Sequence, residues 1–140
     1  MTGAPIFVHC CHCLWCQRET GSAFAVNALI EADRVEVLQG GAELVNTPSE
    51  SGAGQKIFRC PRCRIALWSN YAMAVGDRIR FIRVGTLDEP GRVAPDIHIF
   101  TASKVPWLAL PDDVPAAAEY YDREAVWPQD SLARYRALRD

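Results

Sequence analysis

Apolar positions along the chain fall in short runs, separated by glycine, proline and aspartate. Runs of four to eight such residues read as strands, since helices need longer stretches at a 3.6-residue period. Ile6 to Cys10 predicts a first strand and Ala23 to Ile30 a longer one. Val35 to Leu38 and Ala42 to Thr47 flank Gly40-Gly41, which signals a hairpin. Pro48 to Gly54 (PSESGAG) is a loop. Lys56 to Arg59 and Ile65 to Tyr71 lead into and out of Cys60-Pro-Arg-Cys63. Arg78 to Val84 (RIRFIRV) alternates charged and apolar residues, so one of its faces should be wet. Asp96 to Phe100 is another short strand. Thr86 to Pro95 and Lys104 to Pro115 are rich in turn residues. Near the end, Leu132, Tyr135 and Leu138 make a stripe at helical spacing, with Asp130 or Ser131 as its cap. The pattern describes one mostly-β domain over residues 1–140, with a short C-terminal helix.

Composition narrows this picture. The 140 residues are 49% hydrophobic, enough for one real core. Charged residues make up 23% and the formal net charge is −2, which leaves no basic surplus to attract nucleic acid. No apolar run is long enough to cross a membrane, and MTGAPIFVHCC lacks the charged start and apolar run of a signal peptide. A cytoplasmic protein is therefore expected. In that compartment thiols stay reduced, so six cysteines point to metal or catalysis before disulfides.

Four of those six lie within HCCHCLWC, residues 9–16. Alternate side chains of an extended backbone share a face. Cys11 and Cys13 can thus address one ion, and a turn through Leu14-Trp15 returns Cys16 to it. Cys10 and His12 should point the other way. Cys10 reads as a small buried hydrophobe, and His12 as a surface residue or a group supporting the ligands from behind. His9 precedes the knot and is not read as a ligand. Three thiolates leave a zinc tetrahedron incomplete, and an open position is the mark of a catalytic zinc. The spacing alone leaves open whether Cys60 or Cys63 fills that position. Those two form a zinc-knuckle half, which needs a second half from Cys13 and Cys16 or from elsewhere.

The runs CHCLWCQRETGSAF (Cys11 to Phe24) and FRCPRCRIALWS (Phe58 to Ser69) resemble the glutathione-dependent formaldehyde-activating enzyme family, also called the centromere protein V family. Gly85-Thr-Leu-Asp88, Asp96-Ile-His-Ile-Phe100 and Lys104-Val-Pro-Trp107 resemble its later segments. The resemblance implies a β-tent of small, strongly coiled antiparallel sheets with zinc knuckles. It implies a catalytic zinc on Cys11, Cys13 and Cys16, and half of a structural zinc site on Cys60 and Cys63. The family's founding activity is that of a carbon–sulfur lyase, joining glutathione to formaldehyde. Family members carry a further Cys-x-Cys-Gly upstream, which this sequence lacks. The expectation is a chain truncated at its N-terminus relative to the family, with a structural site left incomplete and stability lowered.

A glutathione-like thiol brings carboxylates. Arg18, with Thr20, Gly21 and Ser22 in the turn after the knot, is the candidate to bind it. Trp15 and Trp107 are candidate pocket walls, and Trp68 reads as core. Arg59, Arg62 and Arg64 read as solvated, and Asp88 as the anchor of the Gly85 to Pro90 loop. His98 reads as a core histidine, with a proton shuttle as the alternative. The competing functions are a non-catalytic zinc module and a thiol or metal buffer. A fourth ligand from water or added thiol favours the enzyme, and one from Cys60 or Cys63 favours the staple.

Overall fold

A computed structural model of the chain describes residues 1–139. It is mainly β with a short C-terminal helix, as the sequence pattern leads one to expect. Seven strands form one sheet in the order β3-β4-β5-β6-β2-β1-β7. They are β1 (Phe7–Cys11), β2 (Ala25–Glu31), β3 (Glu43–Thr47), β4 (Gln55–Arg59), β5 (Ala66–Tyr71), β6 (Ile79–Arg83) and β7 (Ile97–Ile99). All neighbours are antiparallel except β1 and β7, which run parallel. Three helices complete the fold: α1 (Leu14–Thr20), α2 (Arg123–Val126) and α3 (Gln129–Ala137).

The period-2 alternation of strands sorts side chains onto two faces. Phe7, Cys11, Ala25, Leu29, Ile79, Phe81, Ile97 and Ile99 face one way. Trp127, Leu132 and Tyr135, from the C-terminal segment, cover them. Val8, Ala28, Ile30 and Ile82 face the other way and pack with Trp68 and Val84. Trp68 is thus core, as expected; it stacks on Phe58 with ring centroids 4.9 Å apart, and Arg80 lies 4.6 Å over its ring. All five residues of β1 are buried, because both of its faces are covered and it has a strand on either side.

Several elements differ from the sequence pattern. Val35 to Leu38 is not a strand: a 3-10 turn at Ala32–Arg34 ends β2, and the chain then runs in the open with Leu38 86% exposed. Gly40 and Gly41 do take positive φ, 76° and 68°, yet the segments beside them do not pair with each other. The hairpin is instead β3 to β4, around the 48–54 loop. Helix α3 begins at Gln129, with Pro128 at its N-cap, so neither Asp130 nor Ser131 caps it. The Ser131 hydroxyl instead donates to the Ile6 carbonyl at 2.5 Å, tying α3 to the entry of β1. No helix among the described residues is long and apolar enough to cross a membrane.

Candidate metal and thiol site

Cys11 ends β1, and Cys13 is the N-cap of α1. An N-cap side chain turns toward the free amide of the third helical residue, and here that residue is Cys16. Its N–H meets the Cys13 sulfur at 3.4 Å. This is the local reason why Cys-x-x-Cys brings two sulfurs together, and the expected turn at Leu14-Trp15 is a helix of seven residues. Gly21 closes it in the left-handed conformation at φ 62°, where a Cβ is disfavoured. The Gln17 amide fastens α1 to the sheet by donating to the His12 and Ser103 carbonyls, at 2.8 and 2.9 Å.

The sulfurs of Cys11, Cys13 and Cys16 lie within 4.8 Å of one another, and all three residues are buried. They stand at the floor of a cavity of about 260 Å³. Its walls come from Trp15, Tyr71, Phe81 and Phe100, and from the C-terminal residues Tyr120 and Arg123. The polar side chains of His9, Asn27, Ser49 and Gln55 complete it.

Crowded thiols cannot all ionise unaided. Hydrogen bonds from Cys11 and Cys16 hold the Cys13 thiol far below its usual range, at about 2, and the amides of Cys16 and Trp15 add to this against the cost of burial. Cys11 is pushed up by its hydrogen bonds to Cys13 and Cys16 and by burial. Cys16 stands at about 12: its contact with Cys11 favours ionisation, but Cys13 and burial outweigh it. A cation is needed to ionise all three, and three soft sulfurs in a buried cluster suit zinc. Among the described residues no fourth Cys, His, Asp or Glu joins this group. Arg83, 6% exposed, adds positive charge that favours the Cys16 thiolate, and the Asn27 carbonyl oxygen accepts from it.

His12 is not at the surface. It is fully buried, because the face of β1 opposite Cys11 is covered as well. The parallel register sets His98 beside Cys10, and His12 follows two residues on, so all three share that face. His12 Nε2 lies 2.9 Å from His98 Nδ1 and 3.6 Å from Cys10 Sγ. These form a second cluster with metal-binding chemistry, back to back with the first. His98 is thus a buried histidine hydrogen-bonded in the core, as its first reading has it.

His9 lines the cavity through the same parity as Cys11. Trp127 Nε1–H donates to the Tyr121 oxygen at 2.6 Å, and the Tyr121 hydroxyl meets His9 Nε2 at 2.5 Å. Burial, and then the Arg123 charge, lower the His9 pKa to about 4. The ring is therefore neutral near pH 7 and shares a hydrogen bond with the Tyr121 hydroxyl through Nε2.

The remaining candidates fall elsewhere. Arg18, Gly21, Ser22 and Trp107 line a separate shallow depression, with Trp107 75% exposed. The Arg18 guanidinium lies 5.2 Å over the Trp15 ring. Thr20 donates its hydroxyl to the Cys16 carbonyl at 2.8 Å, a bond that secures the last turn of α1. Cys60 and Cys63 sit in an exposed turn between β4 and β5, and no third potential ligand groups with them among the described residues. Their turn is closed by Arg64 N–H to the Cys60 carbonyl at 2.9 Å, with Arg64 at φ 65°. Arg59 is not simply solvated: it pairs with Glu19 at 2.6 Å and so ties α1 to β4. The segment 116–127 supplies Tyr120, Tyr121 and Arg123, which sequence reasoning missed. Its one signal is a cluster of aromatics between the turn-rich Lys104 to Pro115 and the C-terminal helix.

The sequence of residues 1–103 matches the family described as glutathione-dependent formaldehyde-activating enzyme. The chain belongs to that family. No curated protein matches it. The family match covers both cysteine clusters and stops short of the C-terminal cavity wall.

Proposed function

We propose that the protein is a carbon–sulfur lyase that adds a thiol, such as glutathione, to formaldehyde or a related small electrophile. Cys11, Cys13 and Cys16 would hold its zinc. The observation that carries this reading is the placement of three buried sulfurs, without a fourth protein donor in their group among the described residues, at the floor of a cavity.

In the forward direction the thiol sulfur forms a bond to the carbonyl carbon. The C=O π bond breaks, and its oxygen takes a proton while the thiol loses one. Zinc, when bound, favours the ionised form of a thiol; for a thiol of pKa about 8.5, full ionisation at pH 7 is worth about 2 kcal/mol. The protein's own groups do the rest. Cys13 is presented by the α1 N-cap and Cys16 by its first turn, so the sulfurs are fixed before any ligand arrives. Arg83 balances the excess negative charge of three thiolates on a divalent ion. Phe81, Phe100 and Trp15 give the cavity an apolar lining around the sulfurs. His9, oriented by Tyr121 and Trp127, keeps a neutral ring with one proton beside them. The Cys60 and Cys63 turn has no part in these steps.

The test is metal content and adduct formation, measured together on freshly purified protein. Wild type should carry one zinc that a Cys13→Ser variant loses, and the variant's rate of hydroxymethyl-thioether formation should fall at least about a hundredfold. Cys10→Ala, on the opposite face of β1, should keep that zinc. A Cys13→Ser protein that forms adduct at the wild-type rate would exclude the proposed centre.

A further inference from the structure

We propose that Arg123 is a specificity-determining residue of the thiol cavity, where it forms the anion subsite for the carboxylate of the thiol. This rests on the reading of Cys11, Cys13 and Cys16 as the thiol-binding centre. It is carried by a residue outside the family match, which ends at residue 103.

Arg123 lines the same cavity as the three sulfurs. Its Nη1 is buried and has no hydrogen-bond partner. Among the described residues it forms no ion pair, whereas Arg134, the other half-buried arginine of the C-terminal segment, has Glu31. A guanidinium left without an acceptor is costly to keep beside an apolar cavity. Aromatic rings hold it in place. Its carbon lies 4.6 Å from the Tyr135 centroid and 5.9 Å from that of Trp127. These contacts use the π face and leave the buried Nη1–H group for an acceptor oxygen.

A carboxylate answers this geometry better than a phosphate dianion. Among the described residues Arg123 is the one such cation on the cavity wall, and Glu50 also borders it. A second loose end agrees. Gln55 Oε1, in the same wall, is buried without a donor, while its Nε2 is engaged with the Pro48 carbonyl at 3.1 Å. An N–H on the thiol compound would satisfy it. The cavity therefore offers a sulfur position at its floor, a carboxylate position at Arg123 and an N–H acceptor at Gln55. Arg18, which sequence reasoning favours for the carboxylate, is turned onto Trp15 and borders a different depression.

The experiment compares 3-mercaptopropionate with 2-mercaptoethanol, thiols of similar size that differ in the carboxylate. Binding to the zinc-loaded protein is read by calorimetry, with no formaldehyde present. Wild type should bind the carboxylated thiol at least about tenfold more tightly, as expected for a charge-assisted pair. In Arg123→Gln this ratio should fall toward one, and in Arg123→Lys it should be intermediate, since the charge stays and the fork is lost. A wild-type ratio near one overturns the proposal, and so does an Arg123→Gln ratio equal to that of wild type. The wild-type ratio and the lysine variant decide the matter even where the glutamine variant folds poorly. Binding that follows Arg123 while formaldehyde adduct never forms would refute the proposed activity and keep the subsite.

Discussion

Replacing Arg134 by methionine should loosen the cavity from a distance. Arg134 lies on α3 and grips Glu31 at the end of β2 with two bonds, Nε to Oε1 at 2.7 Å and Nη2 to Oε2 at 2.6 Å. The same side chain donates to the Ala4 and Pro5 carbonyls, at 3.0 and 3.2 Å. The side chains are 27% and 10% exposed, so the pair sits between the surface and buried regimes. Exposed pairs contribute about 0–1 kcal/mol, and breaking a fully buried pair costs about 3–5 kcal/mol. The methionine variant should therefore lose about 2 kcal/mol, which for a chain of this length lowers Tm by about 5–8 °C. Urea denaturation of Arg134→Met, Glu31→Gln and the double variant isolates the coupling. Its pH dependence has a definite sign. The hydrogen bonds from Arg134 hold the Glu31 carboxyl below its ordinary value of 4.5. A lowered carboxylate pKa gives stability that is fully present above the unfolded value and is lost as pH falls through the folded one. The coupling energy should thus be constant near neutrality and vanish on acidification below about pH 4.5. A coupling under about 0.5 kcal/mol at pH 7, or one that persists undiminished in strong acid, would refute the reasoning. The consequence reaches function, because α3 carries Tyr135 and Leu132 against the sheet, and Tyr135 supports Arg123.

Two further outcomes follow from the site. Arg83→Met removes a buried cation that favours the Cys16 thiolate, so zinc should be lost to a competing chelator at about tenfold lower concentration, with the fold retained by circular dichroism. The double variant Cys60→Ser, Cys63→Ser alters an exposed turn, so it should leave the zinc of the buried centre in place and change stability by less than about 1 kcal/mol, measured by denaturation and metal analysis.

What the sequence made legible follows the reach of its local rules. Strands β2, β6 and β7 lie where their apolar runs place them. The charged and apolar alternation of β6 does not give the wet face it leads one to expect: Arg80 is half-buried and Arg83 buried, because both faces of the sheet are covered there. Strand parity correctly separates Cys11 from Cys10 and His12. It fails only on what covers the second face. His12 is buried by Phe24 and His98, and His98 arrives on a parallel strand 86 residues away, which no local pattern announces. Val35 to Leu38 shows the converse error: an apolar run is a strand only if a partner edge is free, and β3 takes the β4 edge instead. Helix α1 was legible in principle. Gly21 marks its end and Cys13 its start, but cysteine is not a usual cap, and the sulfurs draw attention as ligands first.

The cavity divides along the same line. Its floor is local, since eleven to sixteen is one strand end and one helical turn, and spacing alone brings those sulfurs together. Its wall is not. Tyr120, Arg123 and Gln55 meet across more than sixty residues of intervening chain, and nothing in the spacing around Arg123 distinguishes it from Arg18. What separates the two arginines is their acceptors. Arg18 rests against Trp15 beside an open depression where water can serve it, whereas Arg123 keeps a buried N–H with no partner. An unmet donor of this kind is tolerated where a ligand completes it, so in the proposed enzyme the choice of thiol would rest on the C-terminal segment and the metal chemistry on the N-terminal one.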